Sequence, residues 1–312
     1  MSPRAVVVGS YVAGLTVRSE RLPAPGETLL GEEFDLGPGG KGSNQAVQIA
    51  RMGMPVEMVT GIGVDAWGDD AMTLWETEGV GTAHVRRVTE LPTGVAFILL
   101  DRAGTNSIIV YPGANAILTG DGVAGLDLGI GPGDVVLAQL EIPADAAAAA
   151  LRLGRDAGAT TILNPAPVRP LPPEVLATVD VLTPNATEGR VLTALAPEAL
   201  LEPRELVARL LDLGVGAVVL TLGEEGALVA DAGGITPIPP IHVDAVDTTG
   251  AGDAFTGALA AEILAGRSLR EAAATAVVAG ALACTELGVI PGLARRAVIE
   301  ERRRALTTFQ SQ

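Results

Sequence analysis

Residues 247–255 read DTTGAGDAF, and this stretch decides how the rest of the chain is interpreted. Residues 256–264 carry apolar side chains at three-to-four spacing, which predicts a helix. The Gly-Ala-Gly turn exposes unpaired N–H groups that, together with the helix dipole, favour a bound anionic oxygen. Asp253 would repel a bound phosphate, but it fits a site where a carboxylate takes a proton from an acceptor hydroxyl. The plain alternative is an Asp in the first turn of an ordinary helix.

Composition and charge limit the class of protein. Of 312 residues, 48% are apolar and 19% are charged, which describes an ordered globular chain. The net charge of −16 argues against a general binder of nucleic acid or anionic membrane, although local amides and Mg²⁺ can still bind a nucleotide. Cys284 is the only cysteine, so internal disulfides and cysteine zinc clusters are excluded. The first apolar run is too short for a signal peptide or a membrane span, and we expect a cytoplasmic protein.

Strand and helix patterns alternate along most of the chain. Strands are predicted at 5–8, 56–60, 135–140, 160–164, 179–183 and 217–221. Helices are predicted at 43–52, 69–78, 144–156, 187–195 and 204–213, in addition to 256–264. Apolar strands that alternate with helices predict a parallel sheet covered on both faces.

Two regions interrupt this alternation and predict a second, smaller sheet. Residues 11–36 contain prolines, glycines and short alternating segments, and 93–111 contain two β-rich runs around DRAGT, which is a hairpin signal. We interpret both as a lid that excludes water from a substrate, with surface hairpins as the alternative. The expected division is a core of 1–10, 37–92 and 112–312, and a lid of 11–36 and 93–111.

Two familiar phosphate motifs fail on inspection. Residues 37–42 satisfy G-x-G-x-x-G, but the buried apolar strand that a dinucleotide site requires does not precede them. A P-loop fails because Gly42 stands where Ser or Thr is needed and Asp35 replaces the leading glycine. Any nucleotide site is therefore of another type. Lys41, inside this segment, is the only lysine of the chain.

A series of ordered motifs now carries a family resemblance over essentially the whole chain. With DTTGAGDAF, they are GGKGSNQA at 39–46, PGAN at 112–115, QLEIP at 139–143, LNPAP at 163–167, TPNATE at 183–188 and TLGEEG at 221–226. The chain resembles the ribokinase-like (PfkB) family of carbohydrate kinases, and the ribokinases in particular. The resemblance implies a ribokinase-like α/β fold, with a mostly parallel central sheet flanked by helices and a small antiparallel β lid.

The resemblance also implies roles for matching positions. Asp253 would be the general base, and Gly250, Ala251 and Gly252 would form an anion hole. The implied sugar-binding residues are Gly40, Lys41, Asn44, Glu141 and Asp253. The implied nucleotide-binding residues are Asn185, Thr221, Gly223, Gly226 and Gly252.

ATP, Mg²⁺ and K⁺ are the implied cofactors. Glu188, in the family's Asn-x-x-Glu element, would hold Mg²⁺ through water, although Asn185 and Glu188 alone also read as a helix cap. The implied positions for a monovalent cation, mostly through backbone carbonyls, are Asp247, Thr249, Ala283, Glu286, Gly288 and Gly292.

One departure from the family pattern concerns the sugar. Ribokinases usually carry Asn-x-Asp just after the first strand, and both residues bind ribose hydroxyls, whereas Val12 and Gly14 stand here. Losing a charged acceptor to a sugar costs about 1.5–3 kcal/mol, which is roughly tenfold to a hundredfold in affinity. We therefore hypothesise that a deoxy, larger or differently substituted sugar fits better than D-ribose.

The expected activity is transfer of the γ-phosphoryl group of ATP to a sugar hydroxyl, in a possible homodimer formed through the lid. A nucleoside kinase of the same family is one alternative, since Val12 and Gly14 leave an apolar end in the pocket. A non-catalytic sugar-binding protein is another, although an intact Asp253 argues against it.

Overall fold

The computed structural model describes residues 2–102 and 106–310 and contains thirteen strands in that part of the chain. They are β1 Ala5–Val8, β2 Val12–Ser19, β3 Glu33–Gly39, β4 Val56–Gly63, β5 Gly81–Val88, β6 Gly94–Asp101, β7 Asn106–Tyr111, β8 Val135–Ala138, β9 Thr160–Leu163, β10 Val181–Leu182, β11 Ala217–Thr221, β12 Ala227–Asp231 and β13 Gly234–Ile238.

Eleven α-helices lie between and after the strands in the same residues. They are α1 Lys41–Arg51, α2 Ala66–Glu78, α3 Gly120–Ala124, α4 Ala144–Asp156, α5 Pro173–Leu176, α6 Ala186–Leu192, α7 Pro203–Leu211, α8 Ala251–Leu264, α9 Leu269–Ala283, α10 Val289–Gly292 and α11 Arg296–Gln310. Short 3-10 helices occur at Gly113–Ile117 and Gly223–Glu225.

The larger sheet has nine strands in the order β13-β12-β11-β10-β9-β8-β1-β4-β5. Strands β11 to β5 of that order pair in parallel, and only β12 runs against its two neighbours. Both faces of this sheet are covered, so its central strands are continuously apolar. Ala5 and Val7 of β1 join a core with α1, α8 and α9, while Val6 and Val8 join a second core with α4 and α7.

The smaller sheet has four strands in the order β3-β2-β6-β7. The pairs β2/β3 and β6/β7 are antiparallel, whereas β2 and β6 pair in parallel. The hairpin predicted at 93–111 is therefore present as β6 and β7. Residues 103–105 of its predicted turn lie outside the described residues.

The predicted fold class is confirmed, and each predicted strand and helix of the core has a counterpart. The edges of the sheet were not predicted, for a physical reason. Strand β5 reads GTAHVRRV and is only half-buried, because it is an edge strand, so it shows no buried apolar run. In residues 2–102 and 106–310 no helix combines the length and apolarity that a bilayer crossing needs.

Candidate active site

Polar side chains from many parts of the chain meet at the carboxyl ends of the parallel strands. Ser10 follows β1, Gln139 and Glu141 follow β8, and Asn164 follows β9. Helices α1 and α8 begin at the same edge. Ligands of open α/β sheets bind at this edge, so the candidate site lies where the topology predicts one.

Asp253 stands at the centre of this cluster, in the first turn of α8. Its side chain is buried, and one oxygen, Oδ2, accepts from Asn44 Nδ2 at 2.8 Å. The other, Oδ1, accepts from Gln45 Nε2 at 2.9 Å. Two amide donors therefore compensate a carboxylate that burial would otherwise destabilise. Asn44 Oδ1 is buried and has no protein partner in the described part of the chain, so it is an acceptor open to a ligand hydroxyl.

The beginning of α8 is open to an anion. Gly250, at its N-cap, has φ 81°, and no side chain caps the helix there. A Cβ on Gly252 would meet no atom within 4 Å, whereas a Cβ on Gly250 would lie 2.5 Å from Val289 Cγ1. The first N–H groups of a helix have no intrahelical acceptor. The Ala251 N–H donates to the Thr248 carbonyl oxygen at a long 3.3 Å, and the next N–H, of Gly252, faces open space.

Lys41 and Glu141 lie on the other side of Asp253. Glu141 Oε2 accepts from Ser10 Oγ at 2.6 Å and from the Lys41 N–H at 2.9 Å. The charge of Asp253 raises the pKa of the Lys41 ammonium against the opposing effect of burial, and Glu141 and Glu188 add to the rise. In the described part of the chain the carboxylates act on that ammonium through their charge and not through a hydrogen bond, so its three donors are available to a ligand.

Asn185 and Glu188 form a capping box at the start of α6. Asn185 Oδ1 accepts from the Glu188 N–H and Glu188 Oε2 accepts from the Asn185 N–H, both at 2.8 Å. Burial raises the pKa of Glu188, although the Asn185 N–H and Lys41 both oppose the rise. The cap interpretation is thus correct for this structure. It leaves one Glu188 oxygen free for a water shell.

A cavity of about 320 Å³ adjoins this capping box. Thr221 ends β11 beside Asn185, and the two form an isolated bridge between the strand ends. Gly223 and Gly226 follow with φ of 60° and 85°, so the chain turns sharply around the cavity mouth. The lining includes Asn185, Thr187, Arg190, Thr221 and Gly223.

The six positions expected around a monovalent cation fall on two adjoining segments: the loop before α8, and the stretch from the last residue of α9 to the last residue of α10. Asp247 accepts from the Thr249 N–H at 2.9 Å and from the Gly288 N–H at 3.1 Å. Partial burial disfavours the charge of Asp247, but these hydrogen bonds outweigh it and lower its pKa. A Cβ on Gly292 would lie 2.6 Å from the Ala283 carbonyl oxygen, so these two backbones touch, whereas Glu286 is exposed.

The described residues hold no cluster of three or more His, Cys, Asp or Glu side chains able to bind a metal. A metal here would therefore depend on carbonyls, water and substrate oxygens, as Mg²⁺ does beside phosphates. Glu188 and the carbonyl-rich loops fit that donor chemistry.

Comparison with known proteins decides the family. Residues 2–295 match the family described as pfkB family carbohydrate kinase. The chain belongs to this family. It is 34% identical over 288 residues to a ribokinase of Haemophilus influenzae, covering 92% of this chain and 94% of that protein. It is 32% identical over 283 residues to a deoxyribokinase of Salmonella typhi, covering 90% of this chain and 92% of that protein.

A solved structure shares both the fold and the sequence. The ribokinase of Arabidopsis thaliana, complexed with ribose and ATP, superposes with a TM-score of 0.85 at 34% identity and covers 96% of this chain and 98% of its own. The protein is therefore an ATP-dependent sugar kinase. The predicted activity is confirmed at that level, and the dinucleotide-binding alternative is excluded.

The structure brings together most of the residues expected at the site and adds others. Asp253, Asn44, Lys41 and Glu141 form one connected group, and Asn185, Glu188, Thr221 and Gly223 form a second. Sequence reasoning missed Ser10, which bonds to Glu141, and Gln45, which bonds to Asp253. It also missed Gln139 and Asn164, which bond to Gln45. Three of these lie inside quoted motifs, but residue spacing cannot show a contact across 208 positions.

Proposed function

We propose that this kinase phosphorylates the primary hydroxyl of a pentose, with Asp253 as the general base. The observation that carries the assignment is a buried carboxylate, held by two amide donors, in the first turn of an uncapped helix. Few structural needs explain such a charge at a helix end that also attracts anions.

The proposed roles follow from the contacts. Asp253 accepts the hydroxyl proton as the oxygen attacks, and the N–H groups at 250–252 stabilise charge on the transferred phosphoryl group. Lys41, Asn44, Glu141 and the Gly40 backbone orient the sugar. Phosphates of ATP would lie near Asn185, Thr221, Gly223 and Gly226.

Metal ions fit two places. Glu188 would hold Mg²⁺ through water, and the ion would supply positive charge to the nucleotide phosphates. The segments 247–249 and 283–292 would hold K⁺ beside the helix N-terminus, with Asp247 keeping the two segments together.

The part of the sugar pocket formed by β2 of the smaller sheet favours a sugar other than D-ribose. Val12 and Gly14 share one face of β2 with Gly37, Gly39 and Ala96 of the neighbouring strands. This face carries almost no hydrogen-bonding side chain next to the sugar. A sugar hydroxyl placed there would therefore gain no hydrogen bond from it. The Salmonella typhi relative is a deoxyribokinase, which agrees with a 2-deoxy pentose as the substrate.

A sugar panel tests this specificity. We expect 2-deoxy-D-ribose to give a higher kcat/KM than D-ribose when ADP release is followed with Mg-ATP and K⁺. The double variant Val12→Asn/Gly14→Asp should raise kcat/KM for D-ribose by about tenfold or more, because it restores one amide and one charged carboxylate acceptor. A Cβ on Gly14 would meet only the Gly37 carbonyl oxygen, at 3.4 Å, so the side chain has room.

D-ribose as the best substrate of the unaltered enzyme would end the specificity proposal and leave the kinase intact. Highest activity on a nucleoside would favour the nucleoside-kinase alternative. Sugar binding without ADP release from any acceptor would favour the non-catalytic one.

The smaller sheet, with residues 11–36 and 93–111, is proposed to act as a lid and a dimer surface. Its outer face carries a cross-strand row formed by Leu36, Leu15, Phe97 and Ile109. Phe97 is 52% exposed and Ile109 is 73% exposed. A contiguous apolar face of this kind is typical of an interaction surface, and a second copy of the same row would cover it.

Charge on this row should separate the copies. We expect Phe97→Lys/Ile109→Lys to sediment as a monomer at concentrations where the unaltered protein sediments as a dimer. The exposed Leu200→Lys serves as the control, because it lies far along the chain in a core loop. A monomeric unaltered protein, or a variant that stays dimeric, would contradict the lid interface.

A further inference from the structure

Behind Asp253 lies a chain of buried carboxamides that the proposed roles do not use. Gln45 on α1 is fully buried and every polar atom of its side chain is engaged. Its Nε2 donates to Asp253 Oδ1 at 2.9 Å and to Asn164 Oδ1 at 3.1 Å, and its Oε1 accepts from Gln139 Nε2 at 2.6 Å. A carboxamide has two N–H donors, so both donors of Gln45 are committed.

A backbone carbonyl sets the direction of the hydrogen bonds between these carboxamides. Asn164 Nδ2 donates to the Thr183 carbonyl oxygen at 3.0 Å, and a carbonyl can only accept. Asn164 must therefore present its Oδ1 to Gln45, and Gln45 must present Nε2 in return. A flipped Gln45 would bring its oxygen against two buried oxygens, of Asn164 and Asp253, which is strongly unfavourable in a dry site.

Close packing of two helices makes the contact possible. A Cβ on Gly257 of α8 would lie 2.6 Å from Gln48 Cβ and 2.8 Å from the Gln45 carbonyl oxygen of α1. The absence of a side chain at Gly257 lets α1 approach α8, so that consecutive residues Asn44 and Gln45 reach the two oxygens of Asp253.

We propose that Gln45 is a positioning residue for Asp253: it holds the plane of the carboxylate so that a free lone pair faces the sugar hydroxyl. This inference rests on the proposed base role of Asp253. Proton transfer depends on the distance and alignment of the two heavy atoms. An Asp253 carboxylate that loses its hydrogen bond from Gln45 therefore accepts the proton less efficiently. Because both N–H donors and the oxygen of its side chain are bonded to protein, Gln45 acts through Asp253.

Replacing Gln45 by Met tests the role, because Met matches the length of the side chain and lacks the donors. We expect kcat to fall about tenfold to a hundredfold, the usual value of a hydrogen bond to a charged group, with the KM for sugar changed less than about threefold. Gln48→Met is the matched control. Gln48 is equally buried on the same helix, but its Nε2 donates to the Ala294 carbonyl. The kcat of the Gln48→Met enzyme should therefore stay within about twofold of the kcat of the unaltered enzyme.

A double-mutant cycle separates positioning from general destabilisation. If Gln45 acts through Asp253, Gln45→Met should have little further effect on the residual turnover of Asp253→Asn. Equal losses in both backgrounds, or equal losses in the Gln45 and Gln48 variants, would overturn the inference. An Asp253→Asn enzyme with near-normal turnover would instead remove the proposed base role.

A second variant covers the case in which Gln45→Met does not fold. Asn164→Leu leaves Asp253 and Gln45 in place but removes the acceptor that orients Gln45. We expect a smaller loss of kcat, about threefold to tenfold, with sugar KM and melting temperature close to those of Gln48→Met. Unchanged kcat in a folded Asn164→Leu enzyme would contradict the proposed orientation chain.

Discussion

Replacing Asp253 by Asn should lower kcat by about 10²–10⁴-fold, the usual contribution of a general base. The Asn side chain has nearly the same shape and keeps one oxygen that Asn44 or Gln45 can donate to, so the pocket stays formed. Sugar and ATP should therefore still bind, with dissociation constants changed far less than kcat. Single-turnover kinetics and calorimetric titration of each substrate measure the two effects separately.

Asp244→Asn is the matched control for charge. Asp244 is exposed and lies nine residues before Asp253, outside the connected group at the site. It should leave kcat within about twofold. A near-normal kcat for Asp253→Asn would refute the base assignment, and a loss of both sugar and ATP binding would show that Asp253 is structural.

Replacing Gly40 by Ala should have the largest effect on stability. Gly40 has φ 90° and ψ 127°, a backbone conformation that costs other residues about 1–3 kcal/mol. Its Cβ would also lie 2.7 Å from Tyr11 Cα and 2.8 Å from the Val12 nitrogen, where β1 leads into the smaller sheet. Strain and overlap together predict a loss of roughly 2–5 kcal/mol in the free energy of unfolding. Urea unfolding measures this loss.

Gly53→Ala isolates the contribution of the overlap. Gly53 lies two residues after α1, the helix that Gly40 precedes, and it has φ 76°, but a Cβ there would meet no atom within 4 Å. Only backbone strain should appear, about 1–2 kcal/mol. Equal losses of unfolding free energy in the two variants would show that the backbone around Tyr11 moves aside without destabilising the protein. In the folded fraction of Gly40→Ala the sugar KM should rise, since the Lys41 N–H that bonds Glu141 comes next in the chain.

Local patterns were sufficient for the core of the fold. Buried strands such as Ala5–Val8 are apolar throughout because both faces of the sheet are covered, and that run is visible without coordinates. Edge strands were not visible, because β5 is half-exposed and carries His84, Arg86 and Arg87 between its apolar residues. The parallel pairing of β2 with β6 was also not predictable. The two strands begin 82 positions apart, and no short turn between them fixes which residues pair.

The sequence by itself determined the chemistry available to this protein: a Gly-Ala-Gly turn before Asp253, an Asn-x-x-Glu element, and a sugar-side segment without the usual Asn and Asp. Those features depend on residue types at short spacing, and short spacing on a helix or turn fixes local geometry. Only the tertiary structure decided which donors reach the two oxygens of Asp253. Asn44 and Gln45 are more than 200 positions away from it, and Gln45 faces it with nitrogen because a carbonyl at Thr183 orients Asn164. A hydrogen bond requires both distance and direction, and over such separations both are set by packing.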